Sequence, residues 1–198
     1  MTRTGTFLPT LGLSLAFTLA AVSPAAAVST LTGESLSGSS SSGNTGGCIT
    51  KAAPYSVSGS ATGPYPGTFS EAGSLGPGFF DFTATFTVTS GTTTITGSKI
   101  TAASTSGSLG CSSDFAGTTL TNAAYTATIH TPDGTFHDEG TSSVDVTITG
   151  SAATLTESFM SSLTEPVLTA PSIRDQCKNG GWQGYPQPNQ GQCQKAVG

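Results

Sequence analysis

The sequence predicts an all-β protein, an antiparallel β-sandwich or a flattened barrel, with a small disulfide-closed appendage at the C-terminus. Three observations carry this prediction. Between residues 48 and 160, apolar residues alternate with Ser and Thr, which is the pattern of half-buried strands. Turn sequences rich in Gly, Pro and Asp separate these runs. No amphipathic run of helical period lies between them, so we expect antiparallel pairing without crossover helices.

The clearest strand runs from Phe80 to Val88, where every second residue is Phe, Ala or Val and the others are Asp or Thr. Two further runs alternate in the same way. They place Tyr125, Ala127 and Ile129, and then Val144, Val146 and Ile148, on the core side. Weaker strand signals cover residues 55–61, 67–72, 93–102, 110–115 and 153–159.

The chain divides into five segments by composition. Residues 1–27 resemble a signal peptide, with Arg3 before an apolar stretch and Ala25, Ala26 and Ala27 at the cleavage site, so we expect a secreted protein without an integral membrane span in its mature form. Residues 28–47 read as a Ser/Gly-rich flexible lead-in. Residues 48–160 form the β-sandwich domain. Residues 161–174 read as a linker or an edge strand, and residues 175–198 as the disulfide-closed motif.

Composition limits the chemistry of the chain. Its 6 basic and 11 acidic residues give a net charge of −5, which makes nucleic acid a poor partner. Charged residues make up only 9% of the chain, and the side chains that serve acid-base and metal chemistry are correspondingly scarce. The sequence therefore assigns no catalytic residue and no cofactor.

The four cysteines are Cys48, Cys111, Cys177 and Cys193, and export makes an even set more consistent with disulfides than with free thiols. Three pairings are formally open. Cys48–Cys111 with Cys177–Cys193 is favoured, because the first pair brackets the β-rich region and the second closes a short Gly-rich loop. A zinc site is the weaker alternative, since the close Cys-x-x-Cys spacing is missing.

The C-terminal run from Asp175 to Trp182, DQCKNGGW, and the run from Asn189 to Cys193, NQGQC, resemble a motif of uncharacterised small secreted bacterial proteins. Residues 61–69 and 125–134 are also similar to members of that group. The resemblance implies a secreted β-domain and no assigned reaction. After Cys193 the chain departs from the group, because residues 194–197 replace an apolar or aromatic ending that would pack as a final strand.

Two histidines flank a Pro-Asp-Gly turn and form the sharpest chemical candidate. An even-numbered hairpin loop would place His130 and His137 opposite one another, with Glu139 as a third metal ligand; the alternative is two exposed histidines on a polar face. Asp133, Asp138, Glu139 and Asp145 gather near the same hairpin. They suggest a carboxylate hydrolase acting on envelope polysaccharide or protein as the alternative function.

Three aromatic residues are candidate ligand contacts. Trp182 and Tyr185 lie inside the C-terminal disulfide loop, where they either stack on a ligand or form a miniature core. Tyr65 lies between two prolines, on a turn that is either exposed or packed. The sequence thus favours a non-catalytic binding or structural role at the cell envelope, with polysaccharide or protein as partner.

Overall fold

The fold is described from a computed structural model, which covers residues 28–40, 53–75, 82–101, 107–111, 115–149, 151–171 and 173–197. The described residues are mostly β. The strands are β1 (Ser35–Ser40), β2 (Ala53–Thr62), β3 (Gly67–Leu75), β4 (Phe82–Ser90), β5 (Thr93–Ile100), β6 (Gly107–Cys111), β7 (Phe115–Thr131), β8 (Gly134–Thr149), β9 (Ala152–Ser161) and β10 (Val167–Ala170). One short helix, α1, spans Gln190–Ala196 in the described C-terminal part.

Eight of these strands close into an antiparallel barrel. The order β1-β2-β3-β4-β5-β7-β8-β9 returns to β1, because β1 pairs with β2 on one edge and with β9 on the other. β6 joins the first half of β7, and β10 joins the start of β8, so both lie outside the ring. A shift in register between Leu120 and Ala123, beside Asn122 with its left-handed φ of 63°, separates the half of β7 that pairs with β6 from the half that pairs with β5.

The barrel interior follows the period-two pattern read from the sequence. Phe82, Phe86, Tyr125, Val146 and Leu155 are each at most 2% exposed, and their strand neighbours face outward. The strong strand predictions are confirmed within the described residues at β4, β7 and β8, and the weaker ones at β2, β3, β5 and β9; Phe80 and Asp81 of the first and residues 112–114 of the predicted 110–115 strand lie outside the described residues. The all-β antiparallel prediction is confirmed. The strands form one closed ring, which agrees with the barrel alternative, whereas a sandwich would require two sheets.

The lead-in prediction is wrong for residues 35–40, which form a full barrel strand. The Ser and Gly residues of β1 do not show the alternation that predicts a strand. Its glycine is nevertheless needed at the contact with β2. A Cβ on Gly38 would lie 2.5 Å from the Ser58 carbonyl oxygen and 2.8 Å from the Phe69 ring, so only glycine lets β1 approach β2 this closely. Within the predicted linker, Val167–Ala170 form β10, the edge strand that was the alternative.

Residues 28–34 close one end of the barrel. Glu34 N donates to the Leu31 carbonyl oxygen at 2.9 Å, which makes a turn in which Gly33 takes a left-handed φ of 83°. Gly33 N and the Glu34 carbonyl then both bond to the backbone of Phe159 in β9. Leu31 is fully buried as a result, so this segment is part of the core.

The C-terminal unit is built from two 3-10 turns, Arg174–Cys177 and Gly181–Gly184, and α1. Asn189 begins α1, because its side chain accepts a hydrogen bond from Gln192 N at 2.9 Å. Residues 190–196 are therefore helical and do not form a final strand. Within the described residues, none of the helices is of the length and apolar character that crossing a bilayer requires.

Candidate functional site

The most unusual feature of the barrel is an ionisable cluster in its interior. Lys99 on β5 contacts Glu71 on β3 and Glu157 on β9, and all three side chains have no solvent-exposed surface. The Lys99 Nζ to Glu71 Oε2 distance is 2.5 Å, and Nζ makes a second short contact with Glu157 Oε2. Tyr55 donates to the other Glu71 oxygen at 2.6 Å. One amine thus contacts two carboxyl groups that come from β3 and β9, two strands that are not neighbours in the ring.

Aromatic rings enclose the amine. Lys99 Nζ lies 5.2 Å from the centre of the Phe86 ring and 5.7 Å from that of Phe159. Burial in these surroundings disfavours charge and raises the pKa of Glu157 to about 7, although the Lys99 charge opposes that shift. Burial and the Glu71 carboxylate raise the pKa of Tyr55 well above its usual range. Within the cluster, burial therefore favours the neutral form of Glu157.

Glu157 is only partly satisfied by hydrogen bonds. Its Oε1 is buried and has no partner, and the same holds for Ser142 Oγ on β8. The Ser142 hydroxyl lies near enough to lower the pKa of Glu157, but the two atoms do not reach ordinary hydrogen-bond geometry. Lys99 Nζ is thus the hydrogen-bond donor that the structure assigns to Glu157, through Oε2.

Sequence reasoning missed this cluster, although a signal was present. Glu71 shares the inward phase of β3 with Phe69, Lys99 that of β5 with Ile95, and Glu157 that of β9 with Leu155. A charged residue at an inward position is costly unless it is paired. Three such positions in a chain with 9% charged residues would have predicted a buried cluster.

A second polar group lies at the end of the barrel that residues 28–34 close. Asp138 is fully buried and accepts hydrogen bonds from Leu31 N at 2.9 Å, Tyr125 Oη at 3.0 Å and Ser161 Oγ at 2.5 Å. Burial, with the charge of Asp138, raises the pKa of Tyr125 above its usual range. These contacts connect β8 to residues 28–34, to β7 and to β9. A structural role therefore accounts for the burial of Asp138.

Nearby, Glu34 is also fully buried, and its Oε2 accepts from Tyr65 N at 2.8 Å while Oε1 has no partner. Burial raises the pKa of Glu34. Tyr65 is 7% exposed and its hydroxyl donates to the Ser29 carbonyl oxygen. Tyr65 thus takes the packed-turn alternative, and burial raises its pKa to about 12.

The hairpin does not place the two histidines opposite one another. His130 pairs with Thr135 and His137 with Thr128, because the loop is Pro132 and Asp133 and the register closes at Thr131 and Gly134. The Thr131 hydroxyl fixes this register by accepting from the backbone N of residues 133 and 134. Both histidines face outward but are offset by two residues, so the expectation of a directly opposed pair is wrong. His137 Nε2 lies 3.1 Å from Glu139 Oε2.

The hairpin carboxylates do not converge. Asp138 points into the barrel, whereas Glu139 and Asp145 lie on its outer side and Asp133 is in the turn. Across the described part of the chain, no three His, Cys, Asp or Glu side chains gather closely enough to hold a metal ion.

The outer wall of the barrel carries hydroxyl groups in register. One row across β4, β5 and β7 is Thr87, Thr96 and Thr128, and the next is Thr85, Ser98 and Thr126. We call these six residues the hydroxyl face. They line a shallow groove of about 570 Å³ that His137 borders. A second groove of about 570 Å³ shares Thr85 and Ser98 and extends toward Ala72 and the exposed Ile100.

The C-terminal disulfide is confirmed. Cys177 and Cys193 are bonded, and both are fully buried within their small unit. Trp182 and Tyr185 are half-buried in it, and Gln187 Nε2 donates to the Thr169 carbonyl oxygen of β10 at 2.6 Å. The other predicted bond falls outside the described residues at Cys48, while Cys111 ends β6, so that pairing stays a prediction.

Comparisons of the chain with protein-family models, with curated proteins and with solved structures find no match. The function of the chain is therefore inferred from the geometry of the described residues.

Proposed function

We propose that this chain is a secreted bacterial protein that acts without catalysis, binding a neutral polysaccharide of the cell envelope on the hydroxyl face. The observation that carries this proposal is that the carboxyl groups with a raised pKa lie inside the barrel, whereas the outer groove is lined by hydroxyl groups. The two carboxyl groups with a raised pKa, Glu34 and Glu157, are buried in the barrel, while the groove outside presents uncharged hydroxyls. A buried carboxyl that no substrate reaches cannot act as a general acid.

The hydroxyl face suits a sugar chain because of its chemistry and its spacing. Each Ser or Thr hydroxyl offers one donor and two acceptor positions, which match the hydroxyls of a sugar. Neighbouring strands lie about 4.8 Å apart and alternate residues of one strand about 6.7 Å apart, so the six hydroxyls form a regular grid. Ser98 Oγ and Thr126 Oγ1 are 3.2 Å apart across two strands. A neutral ligand binds there without desolvating a charge.

The alternative function, a hydrolase using carboxylates near residues 130–139, has less support. It requires two carboxyl groups that face one substrate across a pocket. Asp138 is directed inward to Tyr125 and Leu31, whereas Glu139 is half-exposed and pairs with His137.

Affinity electrophoresis in gels that contain soluble envelope polysaccharide tests the binding proposal. Thr96→Glu adds a charge at the centre of the hydroxyl face, and we expect at least a tenfold weaker retardation, about 1.4 kcal/mol. Thr156→Glu is the matched control, because Thr156 is exposed on β9 at another part of the barrel wall. Equal retardation of both variants, or release of reducing ends from the polysaccharide by the wild-type protein, would contradict the proposal.

The same electrophoresis with Trp182→Ala tests whether the C-terminal unit binds the polysaccharide. A half-buried indole in a small unit either supports that unit or stacks on a ligand. If the hydroxyl face alone binds, Trp182→Ala leaves retardation unchanged. If Trp182→Ala weakens retardation and Thr96→Glu does not, the site lies on the C-terminal unit and the hydroxyl face is excluded.

A further inference from the structure

The Lys99 cluster has the arrangement needed for a covalent reaction. A primary amine and a carboxyl group are in direct contact inside a closed barrel, with a second carboxyl group on the other side of the amine. Bulk water, which would favour hydrolysis of any product, does not contact the three side chains, because they have no exposed surface. Holding two reactants in contact also removes the entropic cost of their meeting.

We propose that Lys99 and Glu157 condense to an intramolecular amide, with Glu71 as the group that moves the protons. The amide would join β5 to β9 across the barrel interior. This inference does not depend on the polysaccharide proposal, because it concerns a modification of the folded chain itself.

The roles of the two carboxyl groups follow from their surroundings. Glu157 has an oxygen without a partner in an apolar site, so its neutral acid form is favoured, and a neutral acid can lose hydroxide as water. Glu71 accepts from Tyr55 on one oxygen and from Lys99 on the other, so its carboxylate is placed to take a proton from the amine. The Lys99 amine lies against the Phe86 and Phe159 rings, and removal of a proton by Glu71 converts the ammonium to the uncharged amine that acts as the nucleophile.

The step balances within the cluster. Glu71 takes one proton from the Lys99 ammonium, and the free amine attacks the carboxyl carbon of protonated Glu157. The new C–N bond forms, the C–OH bond breaks, and the hydroxyl leaves as water with a second amine proton passed through Glu71. The third amine proton stays on the amide nitrogen. Glu71 ends protonated, so no charge remains buried, and nothing is oxidised or reduced.

Mass spectrometry of the mature protein purified from culture medium tests this inference. After denaturation and reduction, we expect an intact mass one water below that of the chain with its measured N-terminus. Trypsin should cut after Lys51 and Arg174 but not after Lys99, because an amidated lysine is not a substrate. Fragmentation of the uncut peptide, residues 52–174, should place the link between Lys99 and Glu157.

Two variants serve as matched controls. Lys99→Arg keeps a cation but removes the primary amine, so its mass should equal that of its sequence, and trypsin should cut at position 99. Glu71→Gln keeps both reacting groups but removes the base, so unlinked chains should accumulate. Both readouts are taken on denatured protein, and the circular dichroism of each variant before denaturation shows whether its barrel forms, so that only a folded Glu71→Gln chain without the link counts as support for Glu71 as the base. An unmodified wild-type mass with full cleavage after Lys99, or a link at Glu71, would overturn the assignment.

Discussion

Replacing Asp138 should destabilise the end of the barrel that residues 28–34 close. Its carboxylate accepts from Leu31 N, Tyr125 Oη and Ser161 Oγ, and it is fully buried. Asp138→Ala leaves two buried donors, the Leu31 amide and the Tyr125 hydroxyl, without an acceptor, since the Ser161 hydroxyl can turn elsewhere. Each such donor costs about 1–3 kcal/mol, so we expect a loss of about 4 kcal/mol in the free energy of unfolding. For a domain of this size that corresponds to a fall in Tm of about 10 °C.

Urea unfolding followed by circular dichroism measures this loss, and two variants calibrate it. Asp138→Asn keeps one acceptor oxygen, and its amide can donate to Ser161 Oγ, so it should cost about half as much. Asp145→Ala changes the same residue type on the same strand, but at an exposed position, and should stay within about 0.5 kcal/mol of wild type. If Asp138→Ala lost less than about 1 kcal/mol, or if Asp145→Ala lost as much, the hydrogen bonds at this end would not hold it closed.

Three further predictions concern other parts of the molecule. Burial raises the pKa of Glu34, so the stability that its protonated form contributes is fully present below the ordinary pKa of 4.5 and is lost as pH rises through the raised pKa. Glu34→Gln should therefore flatten the dependence of Tm on pH above 4.5, and parallel curves would contradict this. Gly97→Ala places a Cβ 2.4 Å from the Phe86 ring and should lower the free energy of unfolding, measured in urea, by about 1–3 kcal/mol. Gly184→Ala is the control, because no atom lies within 4 Å of the added Cβ, and it should leave this free energy unchanged. Equal losses in the two variants would argue against close packing at Gly97. Cys177→Ser should raise amide hydrogen exchange within residues 173–197 and leave exchange in the barrel strands unchanged, because the disulfide joins residues within the C-terminal unit, which Gln187 connects to β10 outside the ring. Faster exchange in the barrel strands would contradict this.

The strands could be predicted from the sequence because their signal is local. Alternation at Phe82, Phe86, Tyr125 and Val146 identifies a buried face whatever the partners of the strand are. Closure of the ring could not be predicted in this way. It depends on β1, whose only large apolar strand residue is Leu36 and whose role is to pair its backbone with two neighbours.

The same difference between local signals and long-range contacts applies to the candidate sites. The C-terminal disulfide was predictable because Cys177 and Cys193 lie close in sequence and enclose a short loop. The register of the His130–His137 hairpin was not, because a shift of two residues in the turn preserves the outward face and changes only which residues oppose each other. The interior cluster joins residues up to 86 positions apart, from Glu71 to Glu157, so only the folded barrel shows that they meet.

The cost of the Lys99 cluster is the strongest physical reason to expect a reaction there. Buried ion pairs are often no better for stability than well-packed apolar residues of the same volume, since both ions lose their hydration. This chain carries few charges and still buries a lysine with two glutamates, one of them with an oxygen that has no partner. Condensation to an amide removes the buried charges and cross-links residues 58 positions apart, which by loop-closure arithmetic adds about 4 kcal/mol of stability. Glu71→Gln and Lys99→Arg should therefore both lower the free energy of unfolding by more than the ion pair alone would account for.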